Sequence, residues 1–288
     1  MKKKKINKKR VLILFLIIAI IIVSIIKLNK KSSKNEDTEI DEQAQTTEQV
    51  SNDNKANDNQ NKEDENFVLE QKLQTGKKLS EDGLPVLMYH FFYDKSTDSG
   101  KDGNWIEISN FEEQMKYLAE NDFYFPTWEQ VENYIDGKQE LPEKSIVITV
   151  DDGDPSFFEL AVPIIQKYKI PTTSFVITYW YGNRANDKQD YVSYQSHSYD
   201  MHKAGSNGKG VMLSWDYDKI KDDILLSRDV LGGANIFCYP FGQYNDLDIK
   251  VLKENGYRLA FTTKGGRVKK GSSKYELPRV RISGNTGI

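Results

Sequence analysis

Ser145-Ile146-Val147-Ile148-Thr149-Val150 runs straight into Asp151-Asp152-Gly153. The first six residues are β-rich and do not alternate, the pattern of a strand covered on both faces. Similar runs recur at residues 85–89, 173–177, 235–239, 259–262 and 279–282. Helical patterns lie between them. Asn110 is placed to cap a helix in which Phe111, Met115, Leu118 and Ala119 recur on one face, and Trp128, Val131 and Ile135 mark a second. Residues 160–168, 216–231 and 247–256 give three more, the last closing on Gly256 as a C′ residue. Strands alternating with helices imply parallel βα units, and about seven such units imply a barrel rather than a short open sheet.

A β/α barrel carries its reactive groups where strands end, on the C-terminal face. His90 follows one run directly, Asp151-Asp152-Gly153 follows another, and Tyr239-Pro240-Phe241-Gly242 follows a third. Adjacent carboxylates at a strand end can point to different sides, so one can bind a metal while the other acts on water. An Asx-turn is the plain structural alternative, since Asp-Asp-Gly-Asp-Pro is also good turn chemistry. The chain has three histidines, His90, His197 and His202. His197 and His202, five positions apart, fall about 140° apart on a helix and on opposite faces of a strand, so sharing one ion requires a loop between them. Ser198 or Asp200 is available there as a cap. Two imidazoles and a carboxylate with an open position suit a catalytic zinc; two solvent-facing histidines in a polar loop are the alternative. Cys238 is the single cysteine, which excludes an internal disulfide and a cysteine-based zinc cluster.

The rest of the chain sets the setting. A net charge of −3 over 288 residues hides an asymmetry, because a basic start precedes an acid-rich stretch and then a mixed globular region, and nothing suggests a nucleic-acid surface. Residues 1–10 read as a cytoplasmic basic tail, and residues 11–28 as a transmembrane signal anchor. Its apolar run, 11–26, spans about 24 Å, short of a roughly 30 Å hydrocarbon core unless Lys27 snorkels and the bilayer thins. A cleaved signal peptide competes, but Lys27-Leu28-Asn29 offers no small-residue cleavage site. Residues 29–83 read as a polar, flexible linker too poor in apolar residues to offset its ordering entropy. Residues 84–288 remain for one catalytic domain.

At this point a family resemblance emerges. Ile148-Thr149-Val150-Asp151-Asp152-Gly153 resembles the first motif of the polysaccharide deacetylases, the NodB-homology or carbohydrate esterase family four group. Ser196-His197-Ser198 with His202 resembles the second, and Cys238-Tyr239-Pro240-Phe241-Gly242 the third. Met88-Tyr89-His90 and Leu277-Pro278-Arg279 are similar to the branch holding the poly-N-acetylglucosamine and cell-wall glycan deacetylases. The resemblance implies an α/β fold, a distorted seven-stranded (β/α) barrel of NodB-homology type. It implies Asp151 as general base, Asp152, His197 and His202 as ligands of a divalent metal, usually Zn2+, and the backbone N–H of Phe241 as a stabiliser of the oxyanion. No histidine follows His202, so the general-acid role passes to His90, whose alternative is to steady the site. The third motif often begins with an arginine that pairs with the base; Cys238 stands there, and Arg279 or Arg281 is left to supply the charge. Tyr239, Pro240 and Arg279 are the expected substrate contacts, while Tyr179, Trp180, Tyr181 and Tyr199 are candidates for stacking on sugar rings.

The activity implied is removal of N-acetyl groups from N-acetylglucosamine in an extracellular glycan, by a monomeric catalytic domain held to the membrane of a Gram-positive bacterium by the N-terminal helix. An O-acetyl esterase on wall polysaccharide and a non-catalytic glycan-binding domain are the alternatives. The tether favours wall-linked glycans close to the membrane.

Overall fold

Seven parallel strands close into a barrel in the order β1 (Val86–Tyr89), β4 (Val147–Asp152), β5 (Thr172–Val176), β6 (Val192–Ser196), β7 (Ile236–Cys238), β8 (Leu259–Gly265) and β9 (Leu277–Arg281), with β9 paired back onto β1. The computed structural model describes residues 77–100, 103–206 and 208–284, all within the compact unit Asp64–Ile288. The segments read as basic tail and signal anchor, and the linker up to residue 76, lie outside the described residues. Among the described residues no helix is long and apolar enough to cross a membrane. Residues 77–83, read as the end of the linker, are instead tied to the barrel: Lys78 bridges Pro142, and Leu79 N–H donates to the Leu141 carbonyl at 2.7 Å.

Five helices and a short turn of helix cover the strands: α1 (Ile108–Glu120), α2 (Trp128–Ile135), α3 (Val162–Tyr168), α4 (Thr178–Tyr181), α5 (Tyr217–Val230) and α6 (Asp246–Glu254). A π-helical turn, Phe157–Ala161, leads into α3. A two-stranded parallel sheet, β2 (Phe91–Tyr93) with β3 (Trp105–Glu107), stands outside the barrel. Asn110 does not cap α1; Glu107 does, its carboxylate accepting from Ser109 N, so the helix begins at Ile108. β6 is the strand that the apolar runs do not reveal, since Val-Ser-Tyr-Gln-Ser is polar and only its last residue is buried.

The core divides by face. Val86, Val147, Phe175, Ile236, Cys238, Leu259, Phe261 and Leu277 form one buried cluster with Tyr124, Val131 and Ile135 of the α2 region. Trp128 at the start of α2 packs 5.2 Å from the Phe261 ring and donates from Nε1 to Thr173 Oγ1 at 3.2 Å. α1 and α3 cover a second cluster, and α5 and α6 a third.

One buried carboxylate in that third cluster gives the fold a pH signature. Asp248 closes the capping box of α6, accepting from Asn245 N through Oδ2, but its Oδ1 is buried without a hydrogen-bond partner. Burial, opposed by the Asn245 bond, pushes it from the ordinary 3.8 up to about 6. Between those values the folded chain keeps a proton that the unfolded chain has lost, so stability from this group is present below pH 4 and is lost as pH rises to 6. Asp248→Asn is therefore expected to gain roughly 2–3 kcal/mol relative to the parent between pH 4 and pH 7. Urea denaturation of both chains across that range checks it; a pH-independent difference would show that Asp248 titrates normally.

Candidate active site

Strand ends build the site. His90 follows β1, Asp151 and Asp152 end β4, His197 follows β6, Cys238 ends β7, and Arg279 lies in β9. Asp152 has a φ of 75°, which is rare for a residue with a Cβ and turns the chain sharply just where two neighbouring carboxylates must diverge. Gly153 continues the turn at the same φ, and a Cβ there would come within 3.0 Å of Val176 Cγ1.

Asp152, His197 and His202 bring one ligand atom each to within 4.8 Å of one another. Asp152 Oδ1 lies 3.3 Å from His197 Nε2 and 3.6 Å from His202 Nε2, and is buried without a hydrogen-bond partner. His197 Nδ1 is engaged at 2.8 Å by the Cys238 carbonyl, which fixes that nitrogen as the donor and leaves Nε2 as the ligand atom. Burial lowers His202 to about 4, keeping that imidazole neutral. Burial also opposes charge on His197 and Asp152. It is outweighed at His197 by Cys238 and Asp152, which raise it, and at Asp152 by the imidazoles, which keep it ionised. A divalent ion therefore competes with a proton on His197 but meets an otherwise unsatisfied carboxylate oxygen, and the three residues fit such an ion.

Asp151 points into a different set of partners. Arg279 grips it as a fork, with Nη1 donating to Oδ1 at 2.7 Å and Nη2 to Oδ2 at 2.6 Å. The guanidinium is held in turn by Thr149 Oγ1 at 3.1 Å and the Thr262 carbonyl at 3.0 Å. Both side chains of the pair are buried, so desolvation opposes the charge on Asp151, and Arg279 overcomes it to hold the carboxyl far below the usual range. Cys238, its thiol pushed up by burial, donates from Sγ to Asp151 Oδ2 at 3.5 Å. Arg279 thus fills the place the third motif leaves open. Arg281 does not; its Nη1 reaches Asn104 Oδ1 on the exposed side. Thr149 and Thr262 are the supporting residues that sequence reasoning missed, and a hydroxyl inside the run 145–150 was the available signal.

His90 Nε2 stands 3.7 Å from Asp151 Oδ2, with Nδ1 buried and without a hydrogen-bond partner. Burial lowers its pKa against the opposing pull of Asp151 and Asp152, so a proton on it is easily given up.

The expected substrate contacts are redistributed. Tyr239 is wholly buried, stacked on Tyr244 at 4.8 Å, Pro240 is buried beside it, and Arg279 is committed to Asp151. None of these side chains faces solvent. Phe241 does: at φ 59° it leaves the core, is 42% exposed and packs its ring 4.3 Å from that of His202. Trp180, 48% exposed, lies 6.4 Å from the His202 ring, edge to face, while Tyr179 leans on Tyr199 at 5.5 Å. Gly242 makes the turn possible, since a Cβ there would meet the Thr263 backbone N at 2.7 Å.

Comparison with known proteins converges on one family. Residues 138–260 match the family model described as Polysaccharide deacetylase. The poly-beta-1,6-N-acetyl-D-glucosamine N-deacetylase of Staphylococcus aureus (strain MRSA252) is 28% identical over 235 residues, covering 72% of this chain and 81% of the relative. That of Staphylococcus epidermidis is 27% identical over 197 residues, covering 62% and 68%. Among solved structures, IcaB from Ammonifex degensii superposes with a TM-score of 0.60 at 26% identity, covering 72% of this chain and 94% of that one. The Streptococcus pyogenes deacetylase PplD, in complex with acetate, shares the fold with a TM-score of 0.62 at 23% identity over 71% and 94%.

Proposed function

We propose that this chain, which carries a polysaccharide deacetylase domain, hydrolyses N-acetyl groups on N-acetylglucosamine residues of an extracellular glycan. The observation that carries the reading is the pairing of an ionised, Arg279-gripped Asp151 with the Asp152-His197-His202 cluster beside it. A non-catalytic binder has no use for that combination. The names of the staphylococcal relatives put poly-β-1,6-N-acetylglucosamine first among substrates, ahead of the wall-linked glycans that the tether alone would favour. Residues 11–28 fit a single-pass anchor in a Gram-positive membrane, with residues 84–288 outside the cell and the linker between.

A divalent ion, Zn2+ by the chemistry of one carboxylate and two imidazoles, supplies polarisation of the acetamide carbonyl and a lowered pKa for water. The protein's own groups do the rest. Asp151 accepts the proton of the water that attacks the carbonyl carbon, and Arg279 keeps it ionised and fixed in direction. The Phe241 amide, at the mouth, is the protein's donor to the developing oxyanion. As the C–N bond breaks, the proton that Asp151 took from water passes to His90, 3.7 Å from its Oδ2, and on to the leaving nitrogen, so the products are acetic acid, ionised to acetate in water, and a free amine.

Incubating the zinc-loaded full chain with a β-1,6-linked N-acetylglucosamine pentamer, a β-1,4-linked pentamer and an O-acetylated oligosaccharide tests this. Free amine and acetate in equal amounts from an N-acetylated oligomer are expected, with the β-1,6 oligomer fastest. Acetate from the ester substrate alone would establish the esterase reading, and no release from any of them would leave only binding.

A further inference from the structure

His197 and His202 belong to one loop, which is tied to the barrel at its start, where His197 N–H donates to the Val176 carbonyl at 3.0 Å. Ser198, the first residue after His197, has a φ of 74°. The loop carbonyls are held by α4, with Thr178 N–H donating to the Ser198 carbonyl at 3.1 Å and Tyr179 N–H to that of Tyr199 at 3.0 Å. Its amides are held from the opposite side by a carboxylate of α5. Asp223 Oδ1 accepts from Tyr199 N at 2.7 Å and Oδ2 from Asp200 N at 2.8 Å. One turn further along the same helix, Ser227 Oγ meets Ser196 Oγ at 2.7 Å, and Ser196 Oγ also accepts from Ser198 N at 3.2 Å. Ser198 Oγ closes the loop by accepting from Met201 N at 3.1 Å.

Asp223 and Ser227 are both buried, one turn apart on the same face of α5. A carboxylate inside a helix competes with the helical backbone, and a buried one costs free energy unless its oxygens are satisfied. Here each oxygen takes an amide lying between the two histidines. α6 offers a contrast, since its buried Asp248 serves only its own helix cap. We propose that Asp223 is a positioning residue for the metal site: it fixes the spacing of His197 and His202, and the affinity of the site for a divalent ion depends on it. This rests on the reading above that Asp152, His197 and His202 hold such an ion. Residues that orient metal ligands from behind typically change affinity by about 10–100-fold when replaced.

The test is titration of the full-length apoprotein with Co2+, followed by the visible absorption of the bound ion, in the parent, Asp223→Asn and Asp248→Asn chains. Asn at 223 keeps the volume but sets an amide donor against a backbone N–H. Asp223→Asn is expected to bind Co2+ about tenfold or more weakly with an altered absorption envelope, while Asp248→Asn, which removes an equally buried carboxylate away from the loop, binds as the parent does. Unchanged affinity and spectrum in a folded Asp223→Asn chain would overturn the assignment, as would equal weakening in Asp248→Asn. A parent chain that binds no Co2+ would overturn both this inference and the reading it rests on. If Asp223→Asn does not fold, Ser227→Ala probes the same seam; a smaller loss of affinity supports the proposal, and no loss defeats it.

Discussion

Arg279→Ala is expected to lose about 3–5 kcal/mol of stability and most of the activity together. The guanidinium makes five contacts at distances of 2.6–3.1 Å, two of them to Asp151. Removing it leaves a carboxylate buried with a thiol and the His90 imidazole as its nearest polar company. Desolvation, the strongest influence on Asp151, is then opposed only by the weaker pull of His90 and His197, and the carboxyl is pushed towards a proton it must not hold if it is to act as base. Lysine should not rescue the site, because an ammonium cannot supply the planar fork that meets both oxygens. The double replacement Arg279→Met with Asp151→Asn is expected to recover much of the stability and none of the activity, since the penalty comes from the orphaned charge rather than from losing the pair. Urea denaturation and acetate release on the four chains check this. A stable, active Arg279→Ala chain would show that the fork is incidental, and Arg281→Ala, altering an exposed residue, provides the baseline.

The contrast between Arg279 and Arg281 shows where the sequence stops being informative. Both follow the same apolar pattern, and either could supply a charge. Only closure of the barrel, which lays β9 along β1 and one strand away from β4, puts Arg279 inside and opposite Asp151, 128 positions earlier. Strands covered on both faces were legible because such burial demands continuous apolar residues, and their ends therefore located His90, Asp151 and Asp152. β6 was hidden for the converse reason: its middle residues are half-exposed, so nothing in Val192–Ser196 had to be apolar, and the loop that carries His197 was not recognisable as following a strand end. The burial of Tyr239 and Pro240, expected as substrate contacts, turns on a related ambiguity. Tyr239-Pro240-Phe241 contains three apolar side chains in a row, and the left-handed backbone at Phe241 alone decides which one leaves the core. The positioning carboxylate had no signal at all, because Asp223 is one of several acids in a helix whose first turn already carries Asp218 and whose other acids look alike in sequence.

Asp151→Asn should separate the base from the ligands. The amide keeps the volume and can still accept one bond from Arg279 through its carbonyl oxygen, but it leaves the buried guanidinium charge unpaired, so the chain should lose about 3–5 kcal/mol of stability and is compared with its parent under conditions where both are folded. Neither Asp151 oxygen belongs to the Asp152-His197-His202 cluster, so Zn2+ affinity should change little. What disappears is the group that takes the proton from water, a contribution of about 10²–10⁴ in rate, and it disappears from kcat rather than KM because the proton moves only in the transition state. Asp152→Asn should do the reverse: metal affinity falls first, and the rate follows occupancy and returns in part with excess Zn2+. Measuring bound zinc and acetate release in the same samples distinguishes the two. If Asp151→Asn retained a rate within about tenfold of the parent at full zinc occupancy, the proton would have another acceptor. His90, 3.7 Å from Oδ2, would be the residue to replace next.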